Sequence, residues 1–259
     1  MSQIVAASPH VTTKNSTAVI MRDVLIALLP AVIAGCVVFG LRALLVVAVT
    51  TAACVFFEWG FEKLCHTPST ISNLSAAVTG VLLAMNLPVS IPLWQAVFGA
   101  LVAMVAVKGL FGGIGKNFAN PAITARIVMF LAFSKTMTAW VFPDAVSTAT
   151  PLAMMASGES VDYLTLLLGN HGGCLGETSA LALLIGFAYL LIRGVISWPT
   201  PVCFVGTVFV MSLILGQDAV GQILSGGLML GAIFMATDYS TTPSTNLGRV
   251  LFGIGAGLL

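Results

Sequence analysis

An all-α, polytopic integral membrane protein is the fold class this sequence predicts, and three observations predict it. The 259-residue chain is 58% hydrophobic and only 7% charged, with a mean hydropathy of +1.07, which lies far outside the range of soluble domains. Its apolar residues gather into runs close to membrane-crossing length, a crossing needing roughly 20 residues for about 30 Å of hydrocarbon. Its few basic residues fall mostly on one side of those runs. The expected architecture is about nine to ten transmembrane helices, broken and half helices among them.

The elements follow in order. Met1–Arg22 is polar and has no signal-peptide core or cleavage site, so it reads as a cytoplasmic tail, with 23–259 as a single transmembrane domain. Val24–Leu41, Ala43–Phe61, Leu93–Val107, Ser179–Ile192, Val202–Leu215 and Ala219–Ala236 are full or near-full spans. Leu74–Leu87 is shorter, closed by Asn73 and Pro88. The run around Ile127–Val141 follows Asn120, Pro121 and Arg126 at what should be membrane depth. Such interrupted backbone is tolerated there only when it is buried in protein or lines a cavity. A polar loop, about 142–178, separates the two groups of runs. The last run begins at Leu247 and is still apolar at Leu259, so the final helix is expected to be incomplete.

Orientation follows from lysine and arginine, which favour the cytoplasmic side of short loops. An inside amino terminus puts Lys14, Arg22, Lys63, Lys108, Lys116, Arg126, Arg193 and Arg249 inside or on the inner half, and only Arg42 and Lys135 outside. The 142–178 loop is then extracytoplasmic; it holds Asp144, Glu159, Asp162 and Glu177 and no Lys or Arg. No basic run suggests a nucleic-acid partner, and none is expected.

Few residues are equipped for chemistry. Cys36, Cys54, Cys65, Cys174 and Cys203 show no CxxC spacing, read as small apolar fillers and predict no metal site within the chain, a cluster shared with a neighbouring subunit through Cys36 or Cys54 being the alternative. His10, His66 and His171 read as solvated. Thr67-Pro68-Ser69-Thr70 recurs as Thr242-Pro243-Ser244-Thr245, a pointer to an inverted repeat. Gly227/Gly231 and Gly253/Gly257 have the spacing of closely packed helices. Asp23, Glu58 and Asp238 are candidates for an ion path or, equally, interfacial charges.

The most informative stretch is Asp144-x-x-Ser147-Thr148-Ala149-Thr150-Pro151. Thr150, then Pro151, then Leu-Ala-Met-Met is the order of helix N-cap, proline at the first helical position and apolar face. A phosphate esterified to Thr150 would meet free backbone N–H groups at the positive end of the helix dipole. The same spacing also suits an ordinary threonine cap on a surface helix.

Asp144 to Thr150 resembles the flavinylation motif Asp-x-x-Ser/Thr-Gly-Ala-Thr, at which a flavin transferase joins FMN through its phosphate to the final threonine. Thr148 stands where that motif usually has Gly. The segment Gly112-Gly113-Ile114-Gly115-Lys116-Asn117-Phe118-Ala119-Asn120-Pro121-Ala122, with Arg126 behind it, is similar to the family's GKN-x-x-NPA signature, as is Ala236-Thr237-Asp238-Tyr239 running on to Gly248-Arg249. On these residues the chain is identified as a member of the family of the D subunit of the Rnf complex and its relative, the B subunit of the sodium-pumping NADH:quinone oxidoreductase; the short tail favours the former. The resemblance implies a multi-pass subunit of the bacterial inner membrane in a ferredoxin:NAD+ oxidoreductase that translocates Na+ or H+. It implies covalent FMN on Thr150, with Asp144, Ser147, Thr148 and Ala149 as its motif. Riboflavin is a second implied cofactor, near Asn117 and Asn120, where Gly112 and Gly113 admit a ring close to the backbone and Arg126 supplies a cation. Both asparagines could instead cap broken helices. The implied partners are the A, B, C, E and G subunits, above all the flavin-bearing G subunit, the flavin transferase and membrane lipid. The other readings are a quinone-reductase subunit, a scaffolding subunit, or a secondary transporter without flavin.

Overall fold

Runs rich in leucine, valine and alanine set the first two helices, α1 (Thr17–Phe39) and α2 (Leu41–Leu64), joined by Gly40 alone, whose φ of 71° only glycine adopts freely. At 1.5 Å per residue they are each about 35 Å long, and by length and composition these two can cross a membrane unaided. The computed structural model describes residues 16–140, 150–158, 161–169 and 171–259; every named element among them is helical. Ser16 caps α1, its hydroxyl accepting from Val19 N at 3.4 Å. Thr17–Arg22 therefore belong to α1, upstream of the start suggested by the apolar run.

After α2 a 3₁₀ turn, Ile71–Asn73, leads into the short α3 (Ser75–Met85), which ends before Pro88, a residue with no backbone N–H to continue it. α4 (Leu93–Leu101) continues as a π-helix over Val102–Gly109, followed by α5 (Pro121–Ala132) and a single turn, α6 (Ser134–Met137). Arg126 thus lies within α5 rather than ahead of it. The polar loop contains α7 (Pro151–Ala156), α8 (Tyr163–Leu168) and a 3₁₀ turn at Leu175–Glu177. Then come α9 (Ala180–Ile192) and α10 (Pro199–Ile214). Ala219–Ala236, legible as one span, is in fact α11 (Ala219–Leu224), α12 (Leu228–Leu230) and a second π-helix over Gly231–Met235. The break is at Gly226, with φ of 68°. α13 (Asn246–Leu258) closes the described chain.

Lipid tails offer helices little hydrophobic gain from meeting one another, so close backbone approach at small residues does much of the packing. A Cβ on Gly80 of α3 would fall 2.6 Å from Thr51 Cα of α2. One on Gly186 of α9 would fall 2.3 Å from the Ala27 carbonyl oxygen of α1. Gly253 and Gly257 bring α13 onto α10, as their spacing suggests, where added Cβ atoms would lie 2.7 Å and 2.8 Å from the carbonyl oxygens of Thr200 and Phe204. Gly231 makes no such approach. The outside of the bundle is apolar, with Val37 79%, Leu41 84% and Ile192 85% exposed. The two Thr-Pro-Ser-Thr segments occupy unlike places, one between α2 and α3 and the other between the second π-helix and α13.

Candidate functional site

Two polar regions interrupt the apolar bundle. The first is built around Thr150. Its backbone is extended, its hydroxyl accepts from Ala153 N at 3.3 Å, and Pro151 is buried at the first helical position, so the cap-and-proline order takes its expected form. Among the described residues the Thr150 hydroxyl donates no hydrogen bond. An ester there would displace no donated bond and would leave the oxygen able to accept. Asp144, Ser147, Thr148 and Ala149 lie outside the described residues. α7 is seated on the α11–α12 segment through glycines: a Cβ on Gly221 would fall 2.4 Å from Met155 Sδ, and one on Gly226 3.0 Å from Leu152 Cδ1.

The next glycine brings in Arg126, whose Nη1 would lie 3.2 Å from a Cβ on Gly227. Arg126 donates to Asn86 Oδ1 at 2.8 Å and lies 3.6 Å from Glu177 Oε1 and 3.6 Å from Cys174 Sγ. It closes the broken end of α3, where Leu175 N donates to Leu87 O at 3.2 Å and Cys174 Sγ to Asn86 O at 3.3 Å. The sequence suggests Arg126 beside Asn117 and Asn120; the structure turns its side chain away from them, because α5 carries it toward Asn86 and Glu177. His171, expected to be solvated, is 3% exposed in this same region.

The second region is a cavity of about 490 Å³, lined by α1, α3, both π-helices, the end of α9 and the loops that follow the π-helices. Asn117, Asn120 and Gly115 line it; Gly112 and Gly113 do not. Those two shape the turn, with φ of 101° and 90°, and Gly113 N donates to Lys108 O at 3.0 Å. The two accounts of the asparagines divide between them. Asn120 caps α5, its Oδ1 accepting from Ala122 N at 3.0 Å and Ile123 N at 3.3 Å. Asn117 caps nothing; its Oδ1 is buried and has no partner among the described residues. An orphaned amide oxygen at a cavity wall calls for a donor, and the cavity volume falls within the range of about 300–1,000 Å³ usual for small-molecule sites. A flavin fits this site: its ring has an N–H between two carbonyls, and the wall is mainly apolar.

Of the three carboxylates singled out in the sequence, Asp23 is buried and accepts from Arg193 Nε at 3.1 Å, Arg193 Nη2 at 3.0 Å and the Tyr189 hydroxyl at 3.3 Å. Asp238 lines the cavity and accepts from Ser240 Oγ at 2.9 Å. Glu58 pairs with Lys108, a residue that in the sequence bore only on orientation; Glu62 and Ser75 complete that cluster. A signal was available: Glu58 and Glu62 are four apart on one helix face, and Lys108 ends an apolar run. Among the described residues no group of cysteine, histidine and carboxylate side chains could hold a metal ion.

Comparison with known proteins adds two findings. A profile of the NQR2, RnfD, RnfE family matches residues 4–259. Over 263 residues the chain is 46% identical to the D subunit of the Na+-translocating ferredoxin:NAD+ oxidoreductase complex of Acetobacterium woodii, covering 98% of this chain and 83% of the relative. It is 36% identical over 278 residues to the proton-translocating counterpart of Clostridium ljungdahlii, covering 98% and 84%. It is 34% identical over 305 residues to the D subunit of the ion-translocating oxidoreductase complex of Halorhodospira halophila, covering 100% and 85%.

Proposed function

The chain belongs to the NQR2, RnfD, RnfE family, and from that premise we propose that it is the membrane D subunit of an Rnf-type ferredoxin:NAD+ oxidoreductase ion pump, carrying FMN esterified to Thr150. The relatives' names support the complex and the coupled ion, sodium in one and protons in another. The observation that carries the flavin assignment is Thr150 itself. The last residue of a flavinylation-like motif is the N-cap of a helix, and among the described residues its hydroxyl makes no donated bond that an ester would break. A phosphate at that oxygen would lie at the positive end of the α7 dipole.

In this reading the isoalloxazine ring supplies the electron chemistry and the protein supplies position and electrostatic environment. Thr150 would hold the ring at the extracytoplasmic surface, within reach of the flavin-bearing G subunit as its redox partner. The cavity on the opposite, cytoplasmic half would hold a second flavin, riboflavin, with Asn117 Oδ1 free to accept a hydrogen bond from it and Asn120 offering its amide N–H groups while it caps α5. The chain lies in the bacterial inner membrane with its amino terminus inside and crosses it about nine to ten times. The A, B, C and E subunits and lipid cover its apolar exterior, and a flavin transferase installs the FMN.

The test is the mass of the purified chain and of its Asp144–Met154 region after expression with a flavin transferase, with Thr150→Val alongside. The expected result is an added mass of about 438 Da, FMN less water as an ester requires, located on Thr150 and absent from the variant. The same mass on Thr148 moves the site. No added mass, under conditions that modify a known acceptor, removes the covalent flavin from this chain.

A further inference from the structure

Behind the inner cavity lies a buried charge cluster that no motif announces. Lys108, near the end of the first π-helix, lines the cavity although its side chain is only 4% exposed. Its Nζ donates to Glu58 Oε1 of α2 and, at 2.6 Å, to Ser75 Oγ of α3. Glu62, one helical turn beyond Glu58, accepts from Thr70 N at 3.0 Å and Thr70 Oγ1 at 2.5 Å, and the same hydroxyl lies 3.5 Å from Glu58 Oε1. Oε2 of each carboxylate is buried without a partner among the described residues. Lys108 and Ser75 border the cavity; Glu58 and Glu62 do not. The buried Cys54 thiol is the other titratable group of α2 at this level, and Asp238 faces the cavity from the loop after the second π-helix.

An ion pair buried at membrane depth is costly relative to apolar side chains of the same volume and marks function more often than stability. This one is oriented, with the ammonium at the cavity wall and the carboxylates behind it. An ammonium has three N–H donors; among the described residues Glu58 and Ser75 take two, which leaves one for an acceptor in the cavity. A flavin reduced to its anionic form carries more negative charge than the oxidised ring, and a fixed positive charge in a low-dielectric site favours that form.

We infer that Lys108, positioned by Glu58 and Ser75, is the residue that raises the reduction potential of the electron carrier in the inner cavity, and that the Glu58 and Glu62 carboxylates limit how far it is raised. This rests on the reading of the cavity as a flavin site. The two variants that test it carry opposite signs. Lys108→Met removes the positive charge and lowers the potential; Glu58→Gln removes a negative charge behind the ammonium and raises it. Lys108→Arg keeps the wild-type value.

The experiment is made on the purified complex. Non-covalent flavin is first released by acid and quantified, and the same flavin is then followed by absorbance during a redox titration of each variant. At a fixed potential, Lys108→Met is expected to reduce the ratio of reduced to oxidised flavin at least tenfold, about 30 mV for a two-electron couple, and Glu58→Gln to increase it. If flavin is bound and both variants leave the ratio unchanged, or shift it the same way, Lys108 does not set the potential. If Lys108→Met fails to assemble, Glu58→Gln decides the matter by its sign. If the wild-type complex releases no non-covalent flavin, the reading of the cavity fails, and the role of Lys108 fails with it.

Discussion

The substitution Gly186→Ala tests whether the packing of α1 on α9 is what shapes the inner cavity. A Cβ at Gly186 would sit 2.3 Å from the Ala27 carbonyl oxygen, 2.9 Å from Phe234 Cζ and 3.2 Å from the Ala27 carbonyl carbon. Phe234 can turn; the backbone of α1 cannot move without its whole helix. Restoring ordinary van der Waals separation requires the two helices to part by about 1 Å, and overpacking of this kind costs about 1–3 kcal/mol. For a chain of this size each kcal/mol lowers Tm by roughly 2–4 °C, so thermal unfolding of the detergent-solubilised protein is expected to shift down by about 2–12 °C. The control is Gly206→Ala on α10, where an added Cβ meets nothing within 4 Å and the exchange is expected to be neutral or slightly stabilising, since alanine favours a helix over glycine. Because Ile20, Met21 and Val24 of α1 and Leu190 of α9 all line the cavity, Gly186→Ala should also lower the content of the proposed non-covalent flavin while leaving the proposed Thr150 ester in place. Equal unfolding temperatures for the two alanine variants would refute the steric argument.

Three further predictions follow from single contacts. Asn120→Ala leaves Ala122 N and Ile123 N without their cap and should cost about 1 kcal/mol, within a usual range of roughly 0.5–2, whereas Asn117→Ala should lower the content of non-covalent flavin and leave the Tm of the flavin-free chain unchanged; equal losses of stability in the flavin-free chain would show that both asparagines are caps. Glu177→Gln weakens the partner of Arg126 and the acceptor for Cys174 N at 3.2 Å, so it should destabilise the chain by about 1–2 kcal/mol, read from Tm, and a neutral outcome would mean that Asn86 alone holds Arg126. The Tyr163 hydroxyl donates to Asp218 Oδ2 at 3.0 Å, and this bond, with the carboxylate's charge, holds the phenol above its ordinary pKa. A raised folded-state pKa means that the link is intact at neutral pH and is lost only as pH rises through the Tyr163 value, above about 10. Ultraviolet titration of phenolate in Asp218→Asn should show one of the three tyrosines ionising at lower pH than in the wild type.

What the sequence revealed and what it hid divide along a physical line. Composition declared the membrane class because lipid demands it of every span. The Thr150 cap and the break before Pro121 were legible because capping is local: Thr150 reaches Ala153 N, and Asn120 reaches Ala122 N and Ile123 N. Hidden were the contacts between residues far apart in the chain, such as Arg126 with Asn86 and Lys108 with Glu58. No period of 3.6 or 2 encodes these. The π-helices were hidden too, since the extra residue per turn leaves no mark on an apolar run. The span Ala219–Ala236, read as continuous, held its warning in Gly226 and Gly227: Gly226 is the seat for Leu152, and Gly227, read from the sequence as a packing glycine with Gly231, is the neighbour of Arg126.

That seat bears on how the two polar regions could communicate. α5, capped by Asn120 on the cavity wall, carries Arg126 to Gly227, next to the glycine on which Leu152 of the Thr150 helix rests. Six residues of α-helix span about 9 Å, so a single rigid element joins the wall of one proposed flavin site to the support of the other. The second route is parallel: from Gly226 and Gly227 the chain runs through α12 and the π-helix to Phe234, Thr237 and Asp238, which line the cavity. A π-helix is a local insertion that often marks functional sites, and here each of the two leads into a loop of the cavity wall. A change of charge in the cavity would therefore act on elements that also support Thr150. Removing the extra residue from the second π-helix, by deleting Ala232, should rotate Phe234 and Thr237 relative to Gly227 and disturb both regions together. Loss of non-covalent flavin with an unaltered yield of the Thr150 ester would show instead that the two regions are mechanically independent.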